Sequence, residues 1–405
     1  MKARNQTWLA VIAVAVGLPI AVIAGVLIFM NVTATRVHPN AHDVPSTGSS
    51  PLPKWTDTVG RARELARRGV TEQNLPGLSV AVGVDGEIVW AEGFGWANVE
   101  HRVPVAPETR FRIGHASIAL TSAAAGLLVE QGRLHLDDEI QTYVPAFPKK
   151  RYTVTLRQLM GHVAGVRHYL GEEADVPAAH CERASDGLKA FTEDALGFEP
   201  ETQYHYSTYG WVLVSAAIEA AANQPFFAYM RTRVFTPLGM ADTMPDASAE
   251  AIANRATFYF PRFSGENQSG LELARSVDYS CFAGAGAFLS TPSDLVRFGI
   301  AMIDGKLLQR STVRMLQTPQ QLVSGEDTDY GLGWMIETLP LAGEPALLAN
   351  HASRSLLGAS TSFMTFPERG IVVALTSNTS YADTRSIALA IADAFAAQKK
   401  RPASK

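Results

Sequence analysis

Cysteine is scarce in this chain, with only Cys181 and Cys281 among 405 residues. There is no Cys-x-x-Cys pair, which argues against zinc ribbons and thioredoxin-like redox chemistry. The chain also has no large excess of positive or negative charge. The net charge is -4 and no basic stripe is visible, so we predict no nucleic-acid partner, and we also predict no metal site and no cofactor. The two cysteines are compatible with a disulfide outside the cytoplasm or with two free buried thiols.

An apolar run without any charge covers residues 8–30, WLAVIAVAVGLPIAVIAGVLIFM. As a helix it would extend roughly 34 Å, which is enough to cross a bilayer. The apolar region of a cleaved signal peptide is shorter, about 7–15 residues, so the length favours an uncleaved transmembrane anchor. Lys2 and Arg4 precede the run. Residues 1–7 are therefore predicted to be a cytoplasmic tail, with the rest of this single-pass protein in the periplasm or outside the cell.

The remainder of the chain divides into a linker, one large domain and a short tail. Residues 31–54 are rich in Pro, Ser, Thr and Gly, which predicts a flexible linker. Within 55–398, strand patterns occur at both ends, around a hairpin signal at Asp85-Gly86 and again in GIVVALTSN. Helical patterns such as TYGWVLVSAAIEAAAN lie between them. This order predicts an α+β domain with an antiparallel sheet from both ends, flanking helices and an inserted helical subdomain. Residues 399–405 are predicted to be a polar tail.

Several segments, in the same order along the chain, resemble the serine β-lactamase and penicillin-binding-protein superfamily. They are FRIG at 111–114, VTLRQLMGHVAGVRHY at 154–169, YHYSTYGWVLVSAAIE at 204–219 and GAGAFLSTPSDLVRFG at 284–299. The resemblance covers roughly residues 60–395 and is strongest to class C-like members and LACTB-type serine hydrolases. It implies a β-lactamase/transpeptidase-like fold. It also implies a cleft for a small-molecule or peptide ligand, in which relatives hydrolyse or transfer peptide, ester or β-lactam acyl groups.

The first motif of that superfamily is replaced. A serine nucleophile needs a base to take its proton, and a lysine three residues later lies on the same helical face. Alignment on Arg112-Ile113-Gly114 places His115 at the serine and Ile118 at the lysine. No serine in this chain is followed three residues later by lysine, and Gly-x-Ser-x-Gly is also absent. His115 is a candidate nucleophile or base, or a polar residue that fills a degenerate pocket.

The other two motifs are partly kept. Tyr206-Ser207-Thr208 matches the second motif, whose tyrosine assists proton transfer. The third motif, Lys-Thr-Gly or His-Thr-Gly, reads His351-Ala352-Ser353, so its hydroxyl moves one place along the strand and changes face. The resemblance therefore implies three catalytic positions and four substrate-binding positions. These are His115, Tyr206 and His351 for catalysis, and Ser207, Thr208, Ala352 and Ser353 for substrate binding.

Two functional interpretations remain open at this point. One is a membrane-anchored, extracytoplasmic serine hydrolase relative whose activity is weak, atypical or absent. The other is a non-catalytic protein that binds a peptide or peptidoglycan, or serves as a scaffold. Of the neighbouring residues, His162 is interpreted as structural, while His168 and Tyr169 could line the cleft on the strength of the resemblance alone.

Overall fold

The computed structural model describes residues 16, 18–29, 32–48, 50–170, 180–246, 252–262, 267–353 and 358–400. Its strands are β1 (Ser46–Gly48), β2 (Gly77–Val84), β3 (Glu87–Asn98), β4 (Val103–Pro104), β5 (Phe111–Arg112), β6 (Met244–Pro245), β7 (Tyr259–Pro261), β8 (Leu271–Leu273), β9 (Phe288–Ser290), β10 (Met335–Leu341), β11 (Glu344–Ser353), β12 (Ser360–Phe366) and β13 (Ile371–Ser377). Its helices are α1 (residues 18–29), α2 (Thr56–Glu72), α3 (Ser117–Glu130), α4 (Leu156–Met160), α5 (Thr208–Ala222), α6 (Phe226–Met230), α7 (Pro292–Asp304), α8 (Arg310–Leu316) and α9 (Thr384–Lys400).

The main sheet is antiparallel and is built from both ends of the domain, as predicted. Its strand order is β1-β3-β2-β13-β12-β11-β10, with β4 paired to β3. The β2–β3 turn falls at Asp85 and Gly86, which both have positive φ, of 51° and 88°. Two such residues form the tight turn that matches the twist of a hairpin. The helical insertion lies between β5 and β10, so the predicted α+β architecture is confirmed.

Both faces of the sheet are covered, which explains the apolar run of residues 371–375 in β13. Val372 and Ala374 face the core shared with the helical insertion, whereas Ile371, Val373 and Leu375 face α2 and α9. All seven residues of β13 are buried. A strand buried on both faces reads as a continuous apolar run because neither side chain direction meets water. The helical face of this sheet is the one that carries the candidate site.

The stretch predicted as a flexible linker is partly ordered against the domain, and that prediction is corrected here. β1 pairs with β3 through Ser46↔Phe94 to Gly48↔Glu92. The His38 ring is buried and lies 3.0 Å from the Pro76 carbonyl oxygen, and the Asn74 side chain accepts the Val37 N–H. These long-range contacts outweigh the loop-like local composition. The polar tail also begins later than predicted, because Lys399 and Lys400 belong to α9, and residues 401–405 lie outside the described residues.

The predicted membrane anchor lies mostly outside the part of the chain that the structure describes. Of residues 8–30, the structure describes 16 and 18–29, and 18–29 are helical with exposed apolar side chains. Among the described residues, no helix has the length and apolarity needed to cross a membrane.

The two cysteines form a disulfide. Cys181 and Cys281 have Cα atoms 4.9 Å apart and are separated by 100 residues in sequence. Cys181 precedes the 3-10 helix Ala184–Ala190, and Cys281 lies in the 3-10 turn Ser280–Ala285, both of which pack on α5. Of the two alternatives that the sequence left open, the structure therefore has the bonded one.

Candidate functional site

His115 lies in the turn that leads into helix α3. The strand β5 is held by β9, and Gly114, at φ 49°, bends the chain into the 3-10 turn Gly114–Ala116. The partly buried ring places its Nε2 3.1 Å from the hydroxyl oxygen of Thr208. Burial, followed by the charges of His351 and His168, lowers the pKa of His115 to about 3. The imidazole is therefore neutral at pH 7 and a poor base.

Ile118 and Ser117 occupy the first turn of α3 and are both fully buried. The Ile118 side chain is part of the main apolar core, so the position that aligns with the family's lysine holds no cation. The Ser117 hydroxyl is buried and has no hydrogen-bond partner among the described residues. The arrangement lacks a serine–lysine pair in this helix, as the alignment predicts.

Tyr206, Ser207 and Thr208 form the entry to helix α5. The Ser207 hydroxyl caps that helix, accepting the Gly210 N–H at 2.9 Å and donating to the Arg167 carbonyl at 2.8 Å. Thr208 faces His115 through its hydroxyl. The Tyr206 hydroxyl is buried and has no hydrogen-bond partner within the described ranges, and burial raises the pKa of this phenol well above its usual value. Tyr206 is therefore a protonated donor, and Ser207 has a structural role in addition to its predicted place in the site.

His351 projects from β11 towards the same cleft. It pairs with Phe363 of β12, and its Nε2 lies 3.2 Å from the Tyr330 hydroxyl. Burial lowers the pKa of His351 to about 4. Because side chains alternate along a strand, Ala352 faces the opposite side of the sheet from His351, and the buried Ser353 returns to the side of His351. The structure thus places Ala352, predicted to bind substrate, away from the cleft.

The cleft is filled by rings that the motifs only partly identified. We call this group the histidine–tyrosine cluster. The Tyr206 ring centroid lies 4.2 Å from that of His162, 5.4 Å from that of His115 and 6.2 Å from that of His351. The remaining members contact these rings. The cluster comprises His115, His162, His168, Tyr169, Tyr204, Tyr206, Tyr330 and His351.

His162, Tyr204 and Tyr330 are the three members that the sequence did not place in the site. Tyr330 lies in an irregular segment before β10, so no helix or strand periodicity in the sequence predicts its position. Its contact with His351 arises only from the tertiary structure. His162 was interpreted as structural, and its bond from the Ser207 N–H supports that role. Its ring also contacts Tyr206, however, because helix α4 ends at Met160 and His162 adopts a φ of 60°. The left-handed conformation turns the ring inwards.

The hydrogen bonds fix where two of these imidazoles carry their proton. His162 Nδ1 accepts the Ser207 N–H at 3.0 Å, and His168 Nδ1 accepts the Thr208 N–H at 3.1 Å. Burial lowers the pKa of His162 well below its usual value and that of His168 to about 4. Both rings are therefore neutral at pH 7, with the proton on Nε2.

Four buried polar atoms of this region have no hydrogen-bond partner among the described residues. They are Ser117 Oγ, His162 Nε2, Tyr206 Oη and His351 Nδ1. A buried polar group without a partner costs about 1–3 kcal/mol, so such groups are rare in cores. Three of them belong to the histidine–tyrosine cluster, and Ser117 lies two residues after His115. No group of three or more His, Cys, Asp or Glu side chains suited to a metal ion occurs within the described ranges.

A family model described as Beta-lactamase matches residues 62–398. The chain belongs to the Beta-lactamase family. Among curated relatives, the human "Serine beta-lactamase-like protein LACTB, mitochondrial" is 30% identical, over 87% of this chain and 83% of its own length. "Penicillin-binding protein 4*" of Bacillus subtilis is 27% identical, over 64% of this chain and 59% of its own. The octameric penicillin-binding protein homologue of Pyrococcus abyssi aligns with a TM-score of 0.69 and 25% identity, over 82% of this chain and 76% of its own.

The positions that align with the three motifs of the Beta-lactamase family come together at this cleft. In this family member the three motif regions converge. His115 comes from the turn before α3, Tyr206 from the segment before α5 and His351 from β11, and the three rings meet within one cluster. What differs is the chemistry of the side chains at the meeting point. An imidazole, His115, and an aliphatic side chain, Ile118, stand where the resemblance implies a serine–lysine pair.

Proposed function

We propose that this Beta-lactamase family protein binds a small-molecule or peptide ligand in its cleft without forming an acyl-enzyme. One observation carries the proposal: Ile118, at the position of the general base, is a fully buried core residue. No proton acceptor can operate there. Loss of a nucleophile or its base lowers the rate of such enzymes by about 10⁴- to 10⁶-fold, so ordinary serine acyl transfer is not expected.

The ligand chemistry is inferred from the unpaired atoms of the cleft. The His162 Nε2–H and the protonated Tyr206 hydroxyl are donors, and neither of these buried groups has a partner in the part of the chain that the structure describes. A ligand that presents carbonyl or other acceptor oxygens satisfies them, and such hydrogen bonds are strongest where water is excluded. Acetylated dipeptides and intact β-lactams both carry such oxygens. The cleft therefore retains the family's preference for amide-like ligands while lacking the covalent step.

A second candidate function is a weak or atypical hydrolase, and one contact favours it. The Thr208 hydroxyl and His115 Nε2, at 3.1 Å, have the separation of a nucleophile and its base. A base works best when its pKa lies near the operating pH, whereas that of His115 is about 3. We therefore place this pair second.

The cellular location is also proposed here. The apolar run at 8–30, preceded by Lys2 and Arg4, supports a single membrane span with the domain outside the cytoplasm. The Cys181–Cys281 disulfide supports the same side, because disulfides persist mainly in oxidising compartments.

Mass spectrometry and calorimetry together test the proposed function. The protein is incubated with benzylpenicillin or a fluorophosphonate, and its intact mass should not change. Titration with acetyl-D-Ala-D-Ala should nevertheless give heat. Tyr206→Phe, which removes one unpaired donor, should weaken binding about five- to tenfold. The matched control Tyr381→Phe alters an exposed tyrosine outside the cluster and should bind as wild type does. An adduct mapped to Thr208 would favour the hydrolase, and an adduct on Ser117 would refute the proposal.

A further inference from the structure

The helical insertion contains a second cavity that shares no lining residue with the histidine–tyrosine cluster. Its volume is about 570 Å³. Cavities of about 300–1,000 Å³ are typical of small-molecule sites. The cavity is lined by residues between Phe227, in α6, and Pro245, in β6. No motif of the sequence analysis falls on it.

One wall of the cavity is a single side of a continuous helical segment. Helix α6 continues into the π-helix Arg231–Phe235, and Phe227, Arg231 and Phe235 line the cavity at intervals of four residues. Residues four apart in a helix lie on the same face. The wider turn of a π-helix is uncommon and occurs frequently at functional sites. The wall therefore presents two aromatic rings with a guanidinium group between them along the sequence.

The opposite wall is apolar and its polar atoms are already engaged. Met240 is 2% exposed, and Met244 and Pro245 of β6 extend the apolar surface. The buried Thr243 also lines the cavity, but its hydroxyl is bonded to the Ser290 hydroxyl at 2.8 Å and to the Asp294 carboxylate at 2.9 Å. This wall can therefore pack against an aliphatic group, and the Thr243 hydroxyl does not require a polar group of the ligand as a partner.

The charge at the cavity is positive because the nearby acids are paired elsewhere. Asp242 binds Arg110 at 2.7 Å, and Asp246 binds Arg112 and Arg255, each at 2.6 Å. Arg231 is exposed and forms no ion pair with any described residue. An apolar interior, with a guanidinium at its edge that no described acid pairs, is complementary to a molecule that combines an aliphatic chain with one negative charge.

We propose that this cavity binds a single-chain amphipathic anion, with an alkyl carboxylate as the simplest example. The aliphatic chain packs against Phe235 and Met240, and the carboxylate pairs with the Arg231 guanidinium. Phe227 and Met244 close the sides. The proposal concerns a site separate from the cleft, so it does not depend on what the histidine–tyrosine cluster does.

Calorimetric titration of the folded protein with octanoate, decanoate and dodecanoate tests the site. Affinity should rise about fourfold per buried methylene until the cavity is filled. Dodecanol, which lacks the charge, should bind about fivefold more weakly than dodecanoate, and Arg231→Gln should remove that difference. The control Arg314→Gln changes an exposed arginine that lies outside the cavity lining and should leave dodecanoate binding unchanged.

A second variant tests the cavity itself. Ala241→Trp places a large side chain at an exposed lining position and should lower dodecanoate affinity by at least tenfold, whereas Ala220→Trp, on the exposed face of α5, should not. Thermal melting verifies that each variant is folded. The proposal is overturned if wild type gives no heat with dodecanoate, if dodecanol and dodecanoate bind equally well, or if neither Arg231→Gln nor Ala241→Trp weakens binding.

Discussion

The Thr208 hydroxyl oxygen lies 3.1 Å from Nε2 of His115, so the first and second motif regions are joined by one side-chain contact. The Thr208 N–H meanwhile bonds to His168. The first contact holds the start of α5 against the turn before α3, and the second holds it against the segment that follows α4. The contact that would join a catalytic pair in an active hydrolase thus contributes here to the organisation of a neutral, aromatic cleft.

Restoring the missing pair should restore some acylation. His115→Ser with Ile118→Lys should yield a penicillin adduct by intact-protein mass spectrometry, because Tyr206 remains in place beside the start of α3. Neither single change should suffice, since a serine without a base stays protonated and a lysine alone has no hydroxyl to activate. Recovery should be partial, because the third motif keeps Ala352 and Ser353.

The double variant carries a stability cost that must be measured alongside. Ile118 is fully buried, and a lysine there should destabilise the fold by several kcal/mol and have a lowered pKa. Thermal melting of Ile118→Lys and Ile118→Met separates the effect of charge from that of shape. A folded double variant without adduct would indicate that the cleft has lost more than its first motif.

Stability should fall as the pH falls from about 6.5 towards 4. In the folded state the pKa values of His115, His168 and His351 are about 3, 4 and 4, below the usual 6.5. Between these values the unfolded chain binds protons that the folded chain does not, so the free energy of unfolding rises with pH there. Each histidine that stays neutral contributes a slope of at most about 1.4 kcal/mol per pH unit.

Urea unfolding at pH 7, 6 and 5 measures that slope. Carboxylates add their own pH dependence, so the informative quantity is the difference between wild type and His351→Gln, whose slope should be shallower. The exposed His42→Gln serves as the matched control and should follow wild type. Equal slopes for wild type and His351→Gln would show that His351 is not held neutral by the fold.

Removing the disulfide should lower stability substantially. In the chain-entropy account, a bond that closes a loop of about 100 residues contributes about 4.7 kcal/mol. Cys181→Ser with Cys281→Ser should therefore reduce the free energy of unfolding by about 3–5 kcal/mol in urea titrations. Thiol counting on the denatured, non-reduced wild-type protein should find no free thiol, and two thiols per chain would disprove the bond.

Membrane topology is open to a direct assay. With residues 8–30 as a single span and the domain outside the cytoplasm, protease added to intact cells or spheroplasts should digest the domain. Replacing Lys2 and Arg4 by glutamate weakens the orientation signal and should increase the protected fraction. Complete protection of the wild-type domain would contradict the proposed orientation.

Sequence reasoning succeeded where local chemistry determines the structure. The Asp85-Gly86 turn, the buried run of β13 and the apolar helix α5 each carry their own signal, and those signals predict the sheet and the helical insertion. The placement of His115 and Ile118 came instead from the resemblance at residues 111–114. It did not find what depends on distant contacts. Tyr330 enters the site through contacts with residues distant in sequence, such as His351, and His38 is held against the domain by its contact with Pro76.

The docking of residues 32–48 limits how far the domain can stand from the end of α1. Arg262 Nη1 donates to the Thr33 carbonyl oxygen, and the Thr33 N–H donates to that of Phe29, so only a few residues separate the helix from chain that is tied to the domain. At about 3.5 Å per residue, such a segment extends to no more than about 15 Å. If residues 8–30 are embedded in a bilayer, the domain is therefore confined close to the lipid headgroups. A ligand of the cleft would then have to come near the membrane surface to bind.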